Sequence, residues 1–292
     1  MSGTSNEKQA GRKNRAKDAR TTINKEIPSI LSSDARARRG VQSSTLLVNL
    51  RPLPKPSPPN APIVYNLHVL QTDTISAARE LHLLAPNAKI AILNMASPLR
   101  PGGGVLTGAT SQEEFLCTRT TLLPSLRDEF YRLPELGAVR TSDCLVFRDT
   151  EGKNLSKADR FYVDVITASM LRFPELKSGK DGPKSTWANE QDLEVVLEKM
   201  RIVMRAVSSN GIQRVVLGAW GCGAYGNPVK EIARAWRIVL LGNKGGRKEE
   251  WKGVEQVVFA ITDGHMADVF SEVFADALTP DTAGPSPADI EG

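Results

Sequence analysis

The stretch from Asn94 to Glu114, reading Asn-Met-Ala-Ser-Pro-Leu-Arg-Pro-Gly-Gly-Gly-Val-Leu-Thr-Gly-Ala-Thr-Ser-Gln-Glu-Glu, constrains the chain more than any other. The run Lys89 to Leu93 just before it is short, apolar and bounded, the pattern of a strand buried on both faces of a mainly parallel sheet. Gly102, Gly103 and Gly104 then permit positive φ and leave no Cβ between the backbone and a ligand. A helix starting at Thr110 or Ser111 offers unpaired N–H groups and the positive end of its dipole, and Glu113 and Glu114 stand on its first turn. Ser111-x-x-Glu114 also reads as a capping box, but a cap needs no glycines upstream. Strand, glycine loop and paired carboxylates together have the layout of a site.

A second glycine-rich turn, Gly221-Cys222-Gly223-Ala224-Tyr225-Gly226, follows the apolar run Gln213 to Trp220 and precedes a helix expected from Asn227-Pro228 to Leu241. It matches G-x-G-x-x-G, which alone would argue for a dinucleotide-dependent dehydrogenase. Against that, only one strand follows it, and no acid ends a strand about 20 residues on, where a ribose-binding carboxylate is needed. Its successive N–H groups, aimed into a helix start, still make a cradle for a diphosphate.

Between these loops the pattern alternates strand and helix. Strands are expected at Ile63 to Leu70, Lys89 to Asn94, Cys144 to Phe147, Phe161 to Ala168, Gln213 to Trp220 and Val254 to Ile261. Helices are expected from Asp73-Thr74 to Leu84, from Ser111 to near Pro124, and from Asp263 to Ala277. The clearest helix carries Leu193, Val196, Leu197, Met200, Val203, Met204 and Val207 on one face until Gly211 stops it. Residues 125–141 read as helical or irregular and 169–187 as a surface excursion. The implied fold is an α/β sheet covered on both faces, with ligands at the carboxyl ends of its strands, where both glycine loops emerge.

Ahead of this core, Met1 to Gly11 reads as disordered, Arg12 to Glu26 as a helix interrupted at Pro28, Ile30 to Arg39 as a second helical piece, and Pro52 to Pro62 as a Pro-rich linker. The expected organisation is a basic arm (1–11), an accessory helical segment with its linker (12–62), a catalytic domain (63–278) and a disordered tail (279–292). Residues 1–40 carry ten Lys/Arg against four Asp/Glu, and the remainder 28 against 29. The basic balance therefore belongs to the amino-terminal arm, which could steer the protein toward a polyanion; the rest does not have the charge of a nucleic-acid-binding surface. No apolar run is long enough to span a membrane and no secretory signal is visible, so an intracellular location is expected. Cys117, Cys144 and Cys222 lack metal-ligand spacing, and His68, His82 and His265 lie away from the glycine loops. No metal or cofactor is expected, and the chemistry must rest on carboxylates.

The combination Gly102-Gly103-Gly104, a short spacer, then Gln112-Glu113-Glu114 resembles the signature of microbial-type poly(ADP-ribose) glycohydrolases. The likeness continues through Phe115-Leu116-Cys117-Thr118-Arg119-Thr120-Thr121-Leu122, Leu145 to Asp149, Val165 to Ala168 and Val216 to Gly223. The resemblance implies a three-layer α/β/α macrodomain with a mixed, mostly parallel central sheet and an amino-terminal helical extension, cutting O-glycosidic links between riboses. By the same resemblance, Glu114 protonates the leaving ribose oxygen and then deprotonates water, Glu113 holds the adjacent ribose hydroxyls, and Asn94 contacts the same ribose. Gly102 to Gly104 and Gln112 surround the sugar, Gly221 to Gly226 bind the diphosphate, and Tyr225 packs near the ligand. The implied partners are poly(ADP-ribose), ADP-ribosylated proteins and the product ADP-ribose, with the protein a monomer in the cytoplasm or nucleus. Val105, Leu106 and the rim Ala168-Ser169-Met170-Leu171-Arg172 depart from the family's usual form. The alternative is a non-catalytic ADP-ribose-binding macrodomain, which could dispense with Glu113 and Glu114. A tension accompanies the catalytic assignment: a helix amino terminus favours a charged carboxylate, whereas a general acid must hold a proton, toward which the second carboxylate and the ligand's diphosphate both push.

Overall fold

A computed structural model describes residues 3–57, 65–179, 182–243, 245–246 and 249–280. Helices α1 (Gly3–Thr21), α2 (Ile27–Ser33) and α3 (Ala35–Gln42) are followed by strands β1 (Thr45–Val48) and β2 (Asn66–Leu70), helix α4 (Thr74–Leu84), strand β3 (Ile90–Met95) and the short helix α5 (Gln112–Cys117). Next come β4 (Gly137–Val146), β5 (Phe161–Ala168), the hairpin strands β6 (Leu176–Gly179) and β7 (Gly182–Trp187), then α6 (Glu190–Ser209), β8 (Arg214–Leu217), α7 (Val229–Leu241), β9 (Gln256–Ala260) and α8 (Gly264–Phe274).

Seven strands form one mixed sheet in the order β1-β4-β5-β3-β8-β9-β2. The β3–β5, β3–β8, β8–β9 and β2–β9 pairs are parallel, whereas β1–β4 and β4–β5 are antiparallel. Helices cover both faces, and two apolar clusters sit on either side of the sheet. One gathers α6, α7 and α8 around Trp220, Trp236, Phe259 and Phe270; the other packs α4 and α5 around Ile92, Leu116, Val165 and Val258. β3 and β8 lie side by side and parallel, so the loops that follow them emerge at the same edge. That adjacency brings the two glycine turns together.

Several expectations are corrected. α1 begins at Gly3, so the stretch expected to lack structure is helical from that residue, and a π-helical turn, Thr22–Glu26, carries the helix into Pro28 at the start of α2. Proline tolerates a first-turn position because its missing N–H needs no partner there. Thr45 to Val48 pair with β4 as an edge of the main sheet, so the amino-terminal segment contributes to the core. α5 stops at Cys117 rather than near Pro124: the Thr118 and Thr120 hydroxyls donate to the carbonyls of Glu114 and Leu116, ending the ladder with side chains. Part of the segment 125–141 is strand, since β4 starts at Gly137. The excursion 169–187 contains the β6–β7 hairpin. The first residues of the strand expected from Ile63 and nearly all of the tail expected from Thr279 lie outside the described residues. No helix among the described residues is long and apolar enough to cross a membrane.

Candidate active site

Gly102 and Gly103 take φ of +66° and +55°, left-handed values that a side-chain-bearing residue adopts at a cost. This winding returns the loop over the start of α5, where the Gly104 N–H donates to Glu114 Oε1 at 2.6 Å. The Ser97 N–H donates to Glu113 Oε2 at 2.8 Å. Ser111 is the N-cap of α5 but makes no side-chain cap. The capping-box reading therefore fails: both carboxylates turn to the loop that leaves β3. A Cβ on Gly103 would stand 2.6 Å from Glu114 Oε1 and 2.8 Å from Glu113 Oε2, so only glycine fits there.

Glu113 is 2% exposed and Glu114 8%, yet among the described residues Glu113 Oε1 and Glu114 Oε2 have no hydrogen-bond partner. Buried carboxylate oxygens normally find donors, so each has capacity left for a ligand. Burial, then the charge of Glu114, pushes the Glu113 carboxyl up to about 8 against the Ser97 and Gly102 N–H groups and Asn94, which favour its charged form. Near neutral pH Glu113 thus holds a proton and can donate to a sugar hydroxyl.

This shift gives stability a definite pH dependence. With its folded value above its unfolded one, Glu113 contributes stability that is complete below the ordinary carboxylate range and lost as pH rises through about 8. Glu113→Gln keeps the acceptor for Ser97 and cannot ionise. Melting curves from pH 5 to 9 should show the variant gaining on the wild type as pH rises, by about 3 to 5 kcal/mol over the window. Parallel curves would mean that Glu113 is charged throughout.

Gln112 ties α5 to the sheet: its Oε1 accepts from the Met95 N–H at 2.9 Å, and its Nε2 donates to the Leu93 carbonyl at 2.7 Å and the Thr74 hydroxyl at 3.2 Å. Asn94, fully buried, donates to Thr167 Oγ1 at 3.2 Å and sits behind Glu113 rather than in the cavity wall. Gly102 is likewise held beneath the surface, with Leu123, Val105 and Cys117 crowding the place a Cβ would take.

The second loop closes the opposite side. Gly221 and Gly226 have φ of +80° and +69°. Asn227 does not cap α7; its Nδ2 donates to the Gly221 and Leu171 carbonyls, locking the turn. Among the described residues, the N–H groups of Gly223, Ala224 and Tyr225 have no backbone acceptor, and all three residues line the cavity. Cys222 turns its thiol into the core, where burial pushes it up to about 12, so it enters the loop through its backbone only. Tyr225 packs edge-on against Phe173, and Arg172 lies 5.6 Å above its ring.

Both loops border one cavity of about 790 Å³, lined by Gly103, Gly104, Gln112, Glu113 and Glu114 from the first and Gly221, Gly223, Ala224 and Tyr225 from the second. Asp73, Phe115, Arg172, Asp263 and Met266 also stand in its walls, and none of them was assigned a site role from the sequence. Asp73 and Asp263 carry the ordinary signal of an N-cap, and both do cap, α4 and α8 respectively. Only the sheet order brings these caps to the same edge as the glycine loops. Among the described residues there is no cluster of three or more His, Cys, Asp or Glu side chains that could hold a metal.

The amino-terminal helix holds the first loop from outside. Arg12, Arg15 and Arg20 donate to the carbonyls of Thr107, Gly108 and Leu106 at 2.8, 3.1 and 3.3 Å, and a Cβ on Gly108 would overlap the Arg12 carbonyl. Part of the arm's positive charge is thus spent on the loop. The double substitution Arg12→Ala, Arg20→Ala should leave the fold intact but speed amide exchange at residues 104–108 about tenfold, a loss of roughly 1–2 kcal/mol of local stability. Unchanged exchange would show that α1 does not support the loop.

The fold and site together define an α/β/α domain with a carboxylate-based centre between two glycine loops. Residues 9–148 match the family model described as microbial-type PARG, catalytic domain, a span that starts within α1 and includes the first loop and both carboxylates. The chain is similar in structure to poly(ADP-ribose) glycohydrolase of Thermomonospora curvata bound to the inhibitor ADP-HPD, at 25% identity and a TM-score of 0.68 over 89% of this chain and 99% of that one. It is also similar to poly(ADP-ribose) glycohydrolase of Deinococcus radiodurans in complex with ADP-ribose, at 25% identity and a TM-score of 0.62 over 82% and 97% of the two chains. No curated protein is similar to it in sequence at a comparable level. The resemblance carried by the glycine-loop motif therefore holds in sequence over 9–148 and in fold over most of the chain.

Proposed function

We propose that this protein is a poly(ADP-ribose) glycohydrolase that hydrolyses ribose–ribose O-glycosidic bonds and releases ADP-ribose, with Glu114 as the general acid and base. The observation that carries this is the pair of buried carboxylates, each fastened by one oxygen to a loop N–H and each with its other oxygen unpartnered, at a cavity bounded by a second, N–H-rich glycine turn. The family match and the ADP-ribose-bound neighbours support the same substrate.

The two carboxylates stand on one wall, both within reach of Gly103, instead of facing each other across the bond. One group must then act twice. With the substrate's diphosphate bound and favouring a protonated carboxyl, Glu114 gives its proton to the leaving ribose oxygen as the C–O bond breaks and an oxocarbenium-like sugar forms. It takes a proton back from the attacking water, so the carboxyl ends as it began. Glu113, neutral near pH 7, donates to a hydroxyl of the same ribose and fixes its orientation. Gly223 to Tyr225 offer their N–H groups to the diphosphate, with Tyr225 beside it.

Incubating purified protein with poly(ADP-ribosyl)ated protein and measuring free ADP-ribose tests the reading. Release is expected; polymer left intact under conditions where ADP-ribose binds would overturn it and favour a binding module.

A further inference from the structure

Behind the catalytic wall lies a second cavity of about 600 Å³, between α1 and the residues that follow α5. Thr110, Glu114 and Phe115 line both cavities, so the catalytic carboxyl stands in the partition between them. In the second cavity the Arg119 guanidinium stacks 4.0 Å above the Phe115 ring. It donates to the carbonyls of Asp149 and Thr150 at 3.1 and 3.0 Å and to the Thr118 hydroxyl at 3.0 Å. Among the described residues Arg119 makes no ion pair, although the charges of Asp73 and Asp149 reach it and Asp18, Glu26 and Glu151 also line the cavity; the neighbouring Arg148 is ion-paired with Glu26. A half-buried cation held only by neutral oxygens, beside a second arginine, gains from an incoming anion.

Cleavage between two nucleotide-linked sugars needs room on both sides of the bond. The glycine-loop cavity takes the unit that is released; the other unit carries its own diphosphate and needs room beyond it, and Glu114, which borders both cavities, marks where the two units join. We propose that the second cavity receives this leaving portion, an adenosine diphosphate group, and that Arg119 binds one of its phosphates. The planar fork of arginine suits paired phosphate oxygens. This proposal rests on the glycohydrolase reading and deepens it by assigning the acceptor side of the bond.

The test compares wild type, Arg119→Gln and Thr21→Trp. Because Arg119 also holds the 149–150 carbonyls, the second variant is essential: Thr21 is exposed on α1 and lines the cavity, so tryptophan there narrows it without touching those bonds. Both variants are expected to raise KM for poly(ADP-ribose) at least tenfold while leaving Kd for ADP-ribose within twofold of wild type. An unchanged KM in Thr21→Trp, or equal weakening of ADP-ribose binding in both, overturns the assignment. Independently of turnover, adenosine 5′-diphosphate added to protein saturated with ADP-ribose should shift the Arg119 Nε–H resonance in wild type but not in Thr21→Trp. Absence of that shift overturns the proposal. Its presence in a protein that leaves polymer intact would uphold the anion site and refute the glycohydrolase reading.

Discussion

Glu114→Gln is expected to bind ADP-ribose as the wild type does and to release about 10²- to 10⁴-fold less of it from poly(ADP-ribose), the usual range for loss of a general acid–base group. The amide keeps an oxygen for the Gly104 N–H, which Glu114 Oε1 accepts at 2.6 Å, so the loop keeps its anchor. What is lost is the proton that Oε2, buried and without a partner among the described residues, would deliver. Calorimetric affinity for ADP-ribose alongside a product assay separates the two functions. Release undiminished in the variant would remove Glu114 from its role, and affinity falling in step with release would make it a binding residue.

Gly103→Ala should be nearly as damaging for a different reason. At φ +55° the substitution costs roughly 1–2 kcal/mol in backbone conformation. Its Cβ would also meet both carboxylates at 2.6 and 2.8 Å, closer than van der Waals contact allows. Moving catalytic groups by about an ångström can lower turnover about 100-fold, and at least that loss is expected, with a melting temperature lower by several degrees. Gly223→Ala is the contrast. Among the described residues nothing lies within 4 Å of its Cβ position, so melting should not change, but the methyl would project toward the cavity and is expected to weaken ADP-ribose binding. Equal effects of the two variants would refute this account of the loops.

The first loop was legible because every element of it is local: an apolar strand, three glycines and two acids within about one helical turn of the cap. The strand-helix alternation gave the layers for the same reason. What escaped depends on residues distant in the chain. Thr45 to Val48 are too short a run to identify as an edge strand until β4 supplies the partner. Met266 carried no site signal, Phe115 was visible only as part of the family-like motif and Arg172 only as part of a divergent rim; the β5–β3–β8–β9 adjacency is what carries the three to one cavity. Asn94 shows the opposite limit. Its position at a strand end was plain, but its burial behind Glu113 follows from Thr167 on the neighbouring strand, which no spacing in the sequence reveals.

The three arginine clasps from α1 to residues 106–108 have a practical corollary. A recombinant version trimmed to the strand-helix core would lack the helix that braces the glycine loop beside the two buried carboxylates. Affinity handles, dyes or protease sites placed near the first twenty residues would report on, and perturb, that loop, although in linear order they lie some ninety residues away from it.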